Sequence, residues 1–417
     1  MTIHEKKKAE THDDVLEAIA EAIDIPPSQY EAAVSRYESL GNWLDRNGST
    51  IAQYDPEIAP QGSFLLGTVT RPLGDGEEYD VDLICVLKAT KKDFTPKGLK
   101  EAVGHEVKLY AKAQSMSNRP EEGRRCWTLH YADDAQFHMD VLPSLPDAQT
   151  HQLLLERRGH TALAHDQSLT GQAIAITDWT LPQYELITED WPVSNPLGYA
   201  AWFRGRMVAQ LTEQKERYLK RQMVTASVDD IPDYKVKTPL QRAIQLLKRH
   251  RDSTFGDNEH KPISIIITTL SAKAYNEEAS ISEALQTILT MMDQFIEYRG
   301  DEAWVANPVN PEENFADKWA EEPQKRENFF EWLEQARRDF ALYLRASPFD
   351  EFPGGLKEGL GGTTVDRALE TILAAGASMI AAPAIAKVAS TDAAQERAEA
   401  AIADIRESGS QSKPWAK

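Results

Sequence analysis

The sequence predicts an α+β protein in which a mixed-sheet core is followed by a helical lobe. Three observations carry that expectation. Segments rich in strand-forming residues cluster between Gln61 and Leu142, and from Pro196 onward the apolar spacing is almost wholly helical. With 417 residues, 41% of them hydrophobic, the chain can bury one large or two ordinary cores.

Taken in order, residues 15–23 carry a short apolar helical period, and Pro26-Pro27-Ser28 opens a second helix running to about Arg46. Strands are expected at 81–87, 125–131 and 136–142, with a helix over about 97–113 between the first two. Helices follow at 197–223, 240–251, 264–276, 281–298 and 311–344. Residues 305–314 read as a helix lead-in with an exposed loop. The Gly- and Pro-rich stretch 347–362 reads as a linker or turn cluster, and 365–406 as an alanine-rich helical tail. The division expected is 1–195 for the core with its N-terminal helices, 196–346 for the helical lobe, and 347–417 for linker and tail.

Lys and Arg number 46 against 66 Asp and Glu, a formal charge of −20. Stable sequence-independent binding of nucleic acid needs the opposite field, so a DNA- or RNA-coating protein is excluded. A small anionic ligand is not, because a bound cation inverts the local sign in an acidic site. Cys85 and Cys126 are the only cysteines, too few for a disulfide framework or a cysteine-based zinc cluster. The best apolar stretch, 372–386, is short and broken by Pro383. A soluble cytoplasmic protein without membrane attachment is expected.

Asp80-Val81-Asp82 puts two carboxylates at i and i+2, hence on one face of a strand. Alone, such a pair is equally a solvated edge, turn or cap. In Gln136-Phe137-His138-Met139-Asp140-Val141, the alternation buries Phe137, Met139 and Val141 and leaves His138 and Asp140 together on the other face. A carboxylate in so apolar a strand needs a partner, either an arginine or a cation shared with Asp80 and Asp82. Upstream, Gln61-Gly62-Ser63 offers close backbone approach, an amide and a hydroxyl to an anion, although a bare Gly-Ser is also an ordinary turn. His130, His138 and His250 are too scattered for a zinc site and are expected at surface or supporting positions. Asp75-Gly76-Glu77-Glu78 lacks the spacing of a calcium loop.

These segments, with Ser194-Asn195-Pro196, the run from Pro239 to Asp252 and Lys261-Pro262-Ile263-Ser264, resemble the bacterial cGAS/DncV-like nucleotidyltransferases, the CD-NTases of antiphage signalling, within the superfamily related to DNA polymerase beta. The resemblance covers about residues 10–345 and leaves the tail uncovered. The gap between Ser63 and Asp80 is longer than the superfamily's common spacing.

The resemblance implies a polymerase beta-like core with the active site in the cleft against the helical lobe. Asp80, Asp82 and Asp140 would be catalytic and would hold two Mg2+ or Mn2+ ions, with Asp140 also placed to receive the proton of the attacking hydroxyl. Gln61, Gly62, Ser63, Lys248 and Ser264 would bind the nucleotide. Read without the resemblance, Lys248 is a solvated basic residue and Ser264 a helix N-cap. Asn195 is placed to touch a base. The activity implied is condensation of nucleoside triphosphates, ATP among them, into a cyclic di- or trinucleotide messenger, with release of pyrophosphate. A downstream effector and a regulatory protein partner go with it. The alternatives are transfer to another acceptor (a linear oligonucleotide, a small molecule or a protein) and a non-catalytic nucleotide sensor.

Overall fold

A computed structural model describes residues 12–74, 78–131, 137–222, 227–228, 231–345, 354–372 and 374. Among them, the central sheet has seven strands: β1 (Glu57–Pro60), β2 (Tyr79–Val86), β3 (Glu121–Glu122), β4 (Trp127–His130), β5 (Phe137–Pro146), β6 (Ile174–Ile176) and β7 (Val193–Ser194). Their order is β1-β2-β5-β4-β3, with β6 beside the far end of β5 and β7 beside β6. β2 and β5 run parallel and every other pair is antiparallel, so the sheet is mixed.

The alternation decides which way each strand faces. Val81, Leu83 and Cys85 on β2 and Phe137, Met139 and Val141 on β5 are buried in one cluster with residues of α2 (Pro27–Leu44) and α4 (Pro96–Ala113). α4 starts where its sequence says it should: Pro96 occupies the first turn, and the Thr95 hydroxyl accepts from the Gly98 amide at 2.9 Å. Past Asp82 and Asp140 both faces become apolar, and Ile84 and Leu142 join a smaller cluster on the opposite side. The polar residues of β2 and β5 are therefore confined to one end of the sheet. The five-residue α3 (Gly62–Leu66) stands in front of that end.

The second core is helical. It gathers α6 (Pro196–Gly205), α8 (Pro239–Phe255), α9 (Ser264–Ala274), α10 (Ile281–Met291) and α11 (Pro323–Arg345), while α7 (Val208–Gln222) is tied to the lobe by Gln210 donating to the Glu277 carbonyl and α5 (Ala148–Arg157), which follows β5, by His151 at the Val309 carbonyl. α1 (His12–Ile23) belongs here too. Its stripe Val15, Leu16, Ile19, Ala20 and Ile23 is buried in the same cluster, and its Glu17 and Asp24 just beyond it bind Arg242 of α8 at 2.7 and 2.9 Å. α8 is buried along its length from Pro239 to Arg251 and opens with a reciprocal cap between Thr238 and Gln241.

The structure corrects several sequence expectations. The helix expected over 281–298 ends at Met291, followed by a turn and the hairpin β8 (Glu297–Arg299) and β9 (Glu302–Trp304). The helix expected over 311–344 begins only at Pro323, because β10 (Ala306–Asn307) and β11 (Asn310–Asn314) pair first. Asn314 organises this turn: its Oδ1 accepts from the Val305 and Ala316 amides, both at 2.9 Å. Nor is 305–314 merely exposed, since Val305 and Val309 are fully buried.

The stretch read as a linker contains α12 (Gly354–Leu360), whose Leu356 and Leu360 are fully buried, and residues 362–372 are helical with Val365 buried. Gly361, with φ of +87°, makes the turn between the two helical stretches, while Gly355 and Gly359 serve close approach. A side chain at Gly355 would meet the Asp339 carboxylate and one at Gly359 the His250 ring. Most of the alanine-rich tail and the 75–77 part of the acidic loop lie outside the described residues.

Candidate active site

β2 and β5 are in register such that Asp80 faces His138 and Asp82 faces Asp140. All four side chains project from the polar face at the sheet's mouth. His138 Nε2 lies 3.2 Å from Asp80 Oδ1, and the hydrogen bond with Asp80 is the main reason that its pKa is raised. Asp82 is the most perturbed of the acids. Burial first, then the charges of Asp80 and Asp140, lift its pKa to about 7.

Asp140 is held from the neighbouring strand, where Thr128 of β4 is its register partner and donates its hydroxyl to Asp140 Oδ1 at 2.5 Å. The nearby Cys126 thiol is pushed up to about 11, chiefly by burial and then by Asp140. Gly62, with φ of +58°, brings the backbone against the Asp82 carboxylate, where any Cβ would collide with it.

These groups open onto a cavity of about 710 Å³ whose walls include Gly62, Ser63, Asp80, Asp82, Lys248 and Ser264. Asp140, beside Asp82 on the adjacent strand, is not part of the wall. Gln61 does not line the cavity; its amide donates to the Asp82 carbonyl at 2.8 Å, tying α3 to β2. The rest of the wall brings the cations Arg71, Lys248, Arg251 and Lys261 together with Asp252, which pairs with Arg251, and Asp257. Lys248 is buried, which excludes the solvated-face reading; burial, then Arg251, draws its pKa down to about 8. Ser264 is not an N-cap, because that position belongs to Ile263; its Oγ accepts from Arg251 Nη1 at 3.0 Å.

α8, with Lys237 just before it, also grips the end of α3 and the loop that follows, carbonyl by carbonyl. Gln241 Nε2 donates to the Leu66 carbonyl, Lys237 to Gly67 and Lys248 to Thr68, each at 2.9 Å. Gln245 donates to Val69 at 2.7 Å and Arg249 to Arg71 at 2.5 Å. Sequence reasoning passed over Gln241 and Gln245. Their signal was an i, i+4 pair of amides on the buried side of an apolar helix, where each needs a partner.

Two other expectations are overturned. Asn195 is buried as the N-cap of α6, its Oδ1 accepting from Gly198 and its Nδ2 donating to the Leu169 carbonyl, and it does not line the cavity where a base would lie. His250 lies in the helical core between Asp339 and Trp332, at 3.1 Å from each. His130 and His138 lie side by side, ring centres 5.8 Å apart.

A mixed sheet presenting paired carboxylates at its mouth, across a cavity from buried lysine and arginine, defines a nucleotidyltransferase. A family model described as the nucleotidyltransferase domain of cyclic GMP-AMP synthase DncV-like proteins matches residues 56–143. A c-di-GMP synthase of Roseivirga ehrenbergii is 30% identical over 342 residues, 81% of either chain. The cyclic dinucleotide synthase CdnG of Bradyrhizobium diazoefficiens is 25% identical over 331 residues, 75% of this chain and 71% of its own. The solved structure of that CD-NTase in complex with GTP superposes with a TM-score of 0.64 at 22% identity, covering 86% of this chain and 98% of its own. The chain belongs to the CD-NTases, the DncV-like nucleotidyltransferases.

That family implies a divalent cation, and the donors fit one. Ligand atoms of Asp80, His138 and Asp140 all lie within 4.8 Å of one another, and Asp82 beside them, its pKa raised by burial and then by its two acidic neighbours, is a carboxylate whose charge a cation would stabilise. Among the described residues no helix is long and apolar enough to cross a membrane.

Proposed function

We propose that this chain joins two nucleoside triphosphates into a cyclic dinucleotide, with GTP as its substrate. The observation that carries the reading is the facing of Asp82 and Asp140 across β2 and β5, at the mouth of a cavity whose far wall holds Lys248, Arg251 and Ser264. The ATP expectation gives way to GTP in this reading, because one relative is named a c-di-GMP synthase and another was solved with GTP.

In each of two rounds, a ribose hydroxyl attacks an α-phosphorus, the bond to the bridging oxygen breaks and pyrophosphate leaves; the second round closes the ring. Asp80, Asp82 and Asp140 would hold two divalent ions. Such ions, when bound, lower the pKa of the attacking hydroxyl and neutralise charge on the phosphates. The rest falls to this chain's own groups. Asp140 takes the hydroxyl proton, its carboxylate oriented by Thr128. Gly62 lets the phosphate approach the backbone, and Ser63, Lys248 and Ser264 bind the β- and γ-phosphates. The bond to Arg251 aims the Ser264 hydroxyl. As an antiphage messenger, the product would act on a separate cytoplasmic effector, under a regulatory partner.

Purified protein incubated with GTP and Mg2+ or Mn2+, treated with phosphatase and analysed by mass spectrometry, should yield a phosphatase-resistant product with the mass of a cyclic guanine dinucleotide. A linear product, or none with any of the four triphosphates, overturns the reading.

A further inference from the structure

The acids expected to hold metal are three carboxylates, but the group that the fold assembles is different. Among the described residues, the one set of three metal-ligating atoms within mutual reach comes from Asp80, His138 and Asp140. Parallel pairing sets His138 directly across from Asp80, with Nε2 at 3.2 Å from Oδ1. Around an octahedral ion with bonds of about 2.1 Å, adjacent ligands stand about 3 Å apart and opposite ones about 4.2 Å. The 3.2 Å pair falls in that range, and the trio, all within 4.8 Å of one another, reaches it with small side-chain adjustments.

The surroundings of the ring point the same way. Its second nitrogen, Nδ1, faces Glu78 Oε2 at 3.6 Å, leaving Nε2 turned toward the acids. A ligating imidazole characteristically has an outer carboxylate behind its second nitrogen, which fixes the tautomer and aims the first. The ring is half-buried with Asp80 and Glu78 on its two nitrogens, which narrows its freedom before any ion arrives.

We propose that His138 is itself a metal ligand, and that its nitrogen biases the ion shared with Asp80 and Asp140 toward Mn2+ over Mg2+. This rests on the nucleotidyltransferase reading and concerns which ion that site takes. Mg2+ holds to oxygen donors and gives up its water reluctantly, whereas imidazole suits the transition-series ions. Asp82, on the cavity wall, supplies the remaining carboxylate.

The nucleotide-free full chain loaded with Mn2+ provides the test, by pulsed electron paramagnetic resonance and by Mn2+ and Mg2+ titration. Nitrogen coupling to the bound ion is expected in the wild type and should be lost in His138→Gln. That variant should bind Mn2+ at least about tenfold more weakly, with Mg2+ affinity changed less than about twofold. His130→Gln removes the neighbouring ring and should keep the coupling, which decides the matter should H138Q fail to fold. Absence of nitrogen coupling in the wild type, its survival in H138Q, its loss in H130Q, or equal losses for both metals overturns the proposal. Nitrogen-ligated Mn2+ in a protein that makes no cyclic product would instead leave this inference standing and sink the function proposed above.

Discussion

The ammonium of Lys248 donates to the carbonyl of Thr68 at 2.9 Å, so one side chain both borders the cavity and pins the loop that forms its rim. Burial has already weakened its hold on its proton, with the pKa drawn down to about 8. The lysine is charged below that value and loses its charge above it. Affinity for a non-hydrolysable GTP analogue, measured calorimetrically without metal, should therefore fall as pH rises from 7 to 9. Lys248→Met should weaken binding by about ten- to a hundredfold, the worth of a charge-assisted hydrogen bond, and should flatten that dependence. A slope that persists in K248M would assign the titration to another group.

Asp82 is shifted the other way, up rather than down, and gives a second dependence that also falls with rising pH. Its pKa rises from 3.8 to about 7, so the folded protein holds this proton more tightly than the unfolded chain. The stability that this group contributes is complete below about pH 4 and is lost as pH climbs toward 7. Metal-free protein should melt at a lower temperature at pH 8 than at pH 5.5, and Mg2+ or Mn2+ should recover the difference at pH 8 only. In Asp82→Asn the trend should be blunted and turnover should fall about a thousandfold or more. An unchanged metal response in D82N by scanning calorimetry would remove Asp82 from the metal set.

The sequence made the carboxylates legible because strand alternation is a local signal: Val81, Leu83, Met139 and Val141 must point inward, so Asp80, Asp82 and Asp140 point outward together. Which acid faces which is a matter of register between β2 and β5, and no local pattern encodes it. The same gap hid the bond from Thr128 to Asp140, since it depends on the register of β4 against β5. Gln241 and Gln245 looked like the polar residues of a helix and turned out to be buried donors to a loop some 175 residues earlier. The strands of the hairpins within 297–314 are two to five residues long and rely on Asn314 side-chain bonds, leaving no alternation long enough to read.

Gly62→Ala isolates the approach of backbone to Asp82. The φ of +58° costs a side-chain-bearing residue about 1 kcal/mol, and the added methyl would displace the Asp82 carboxylate. Turnover should drop at least about tenfold while the melting temperature moves by only a few degrees, because α3 is short and at the cavity rim. Wild-type turnover in G62A would show that the close approach has no part in catalysis.

Gly359→Val addresses the segment after the helical lobe. α12 lies close enough to α8 that a Cβ at Gly359 would stand 2.5 Å from His250 Cδ2, and Gly355 is equally tight against Asp339. His250 has no slack to absorb the intrusion, since Trp332 donates to its Nδ1 and Asp339 bonds its Nε2. Overpacking here should cost about 1–3 kcal/mol, relieved most cheaply by releasing α12 rather than by distorting the buried helix it leans on. The expected signature is a lower melting temperature together with new protease cleavage within 354–372, at a turnover within about twofold of wild type below the melting point, because Lys248 and Arg251 reach the cavity from elsewhere on α8. Protection of 354–372 in G359V equal to that in the wild type would mean that the glycine is not what lets this helix dock.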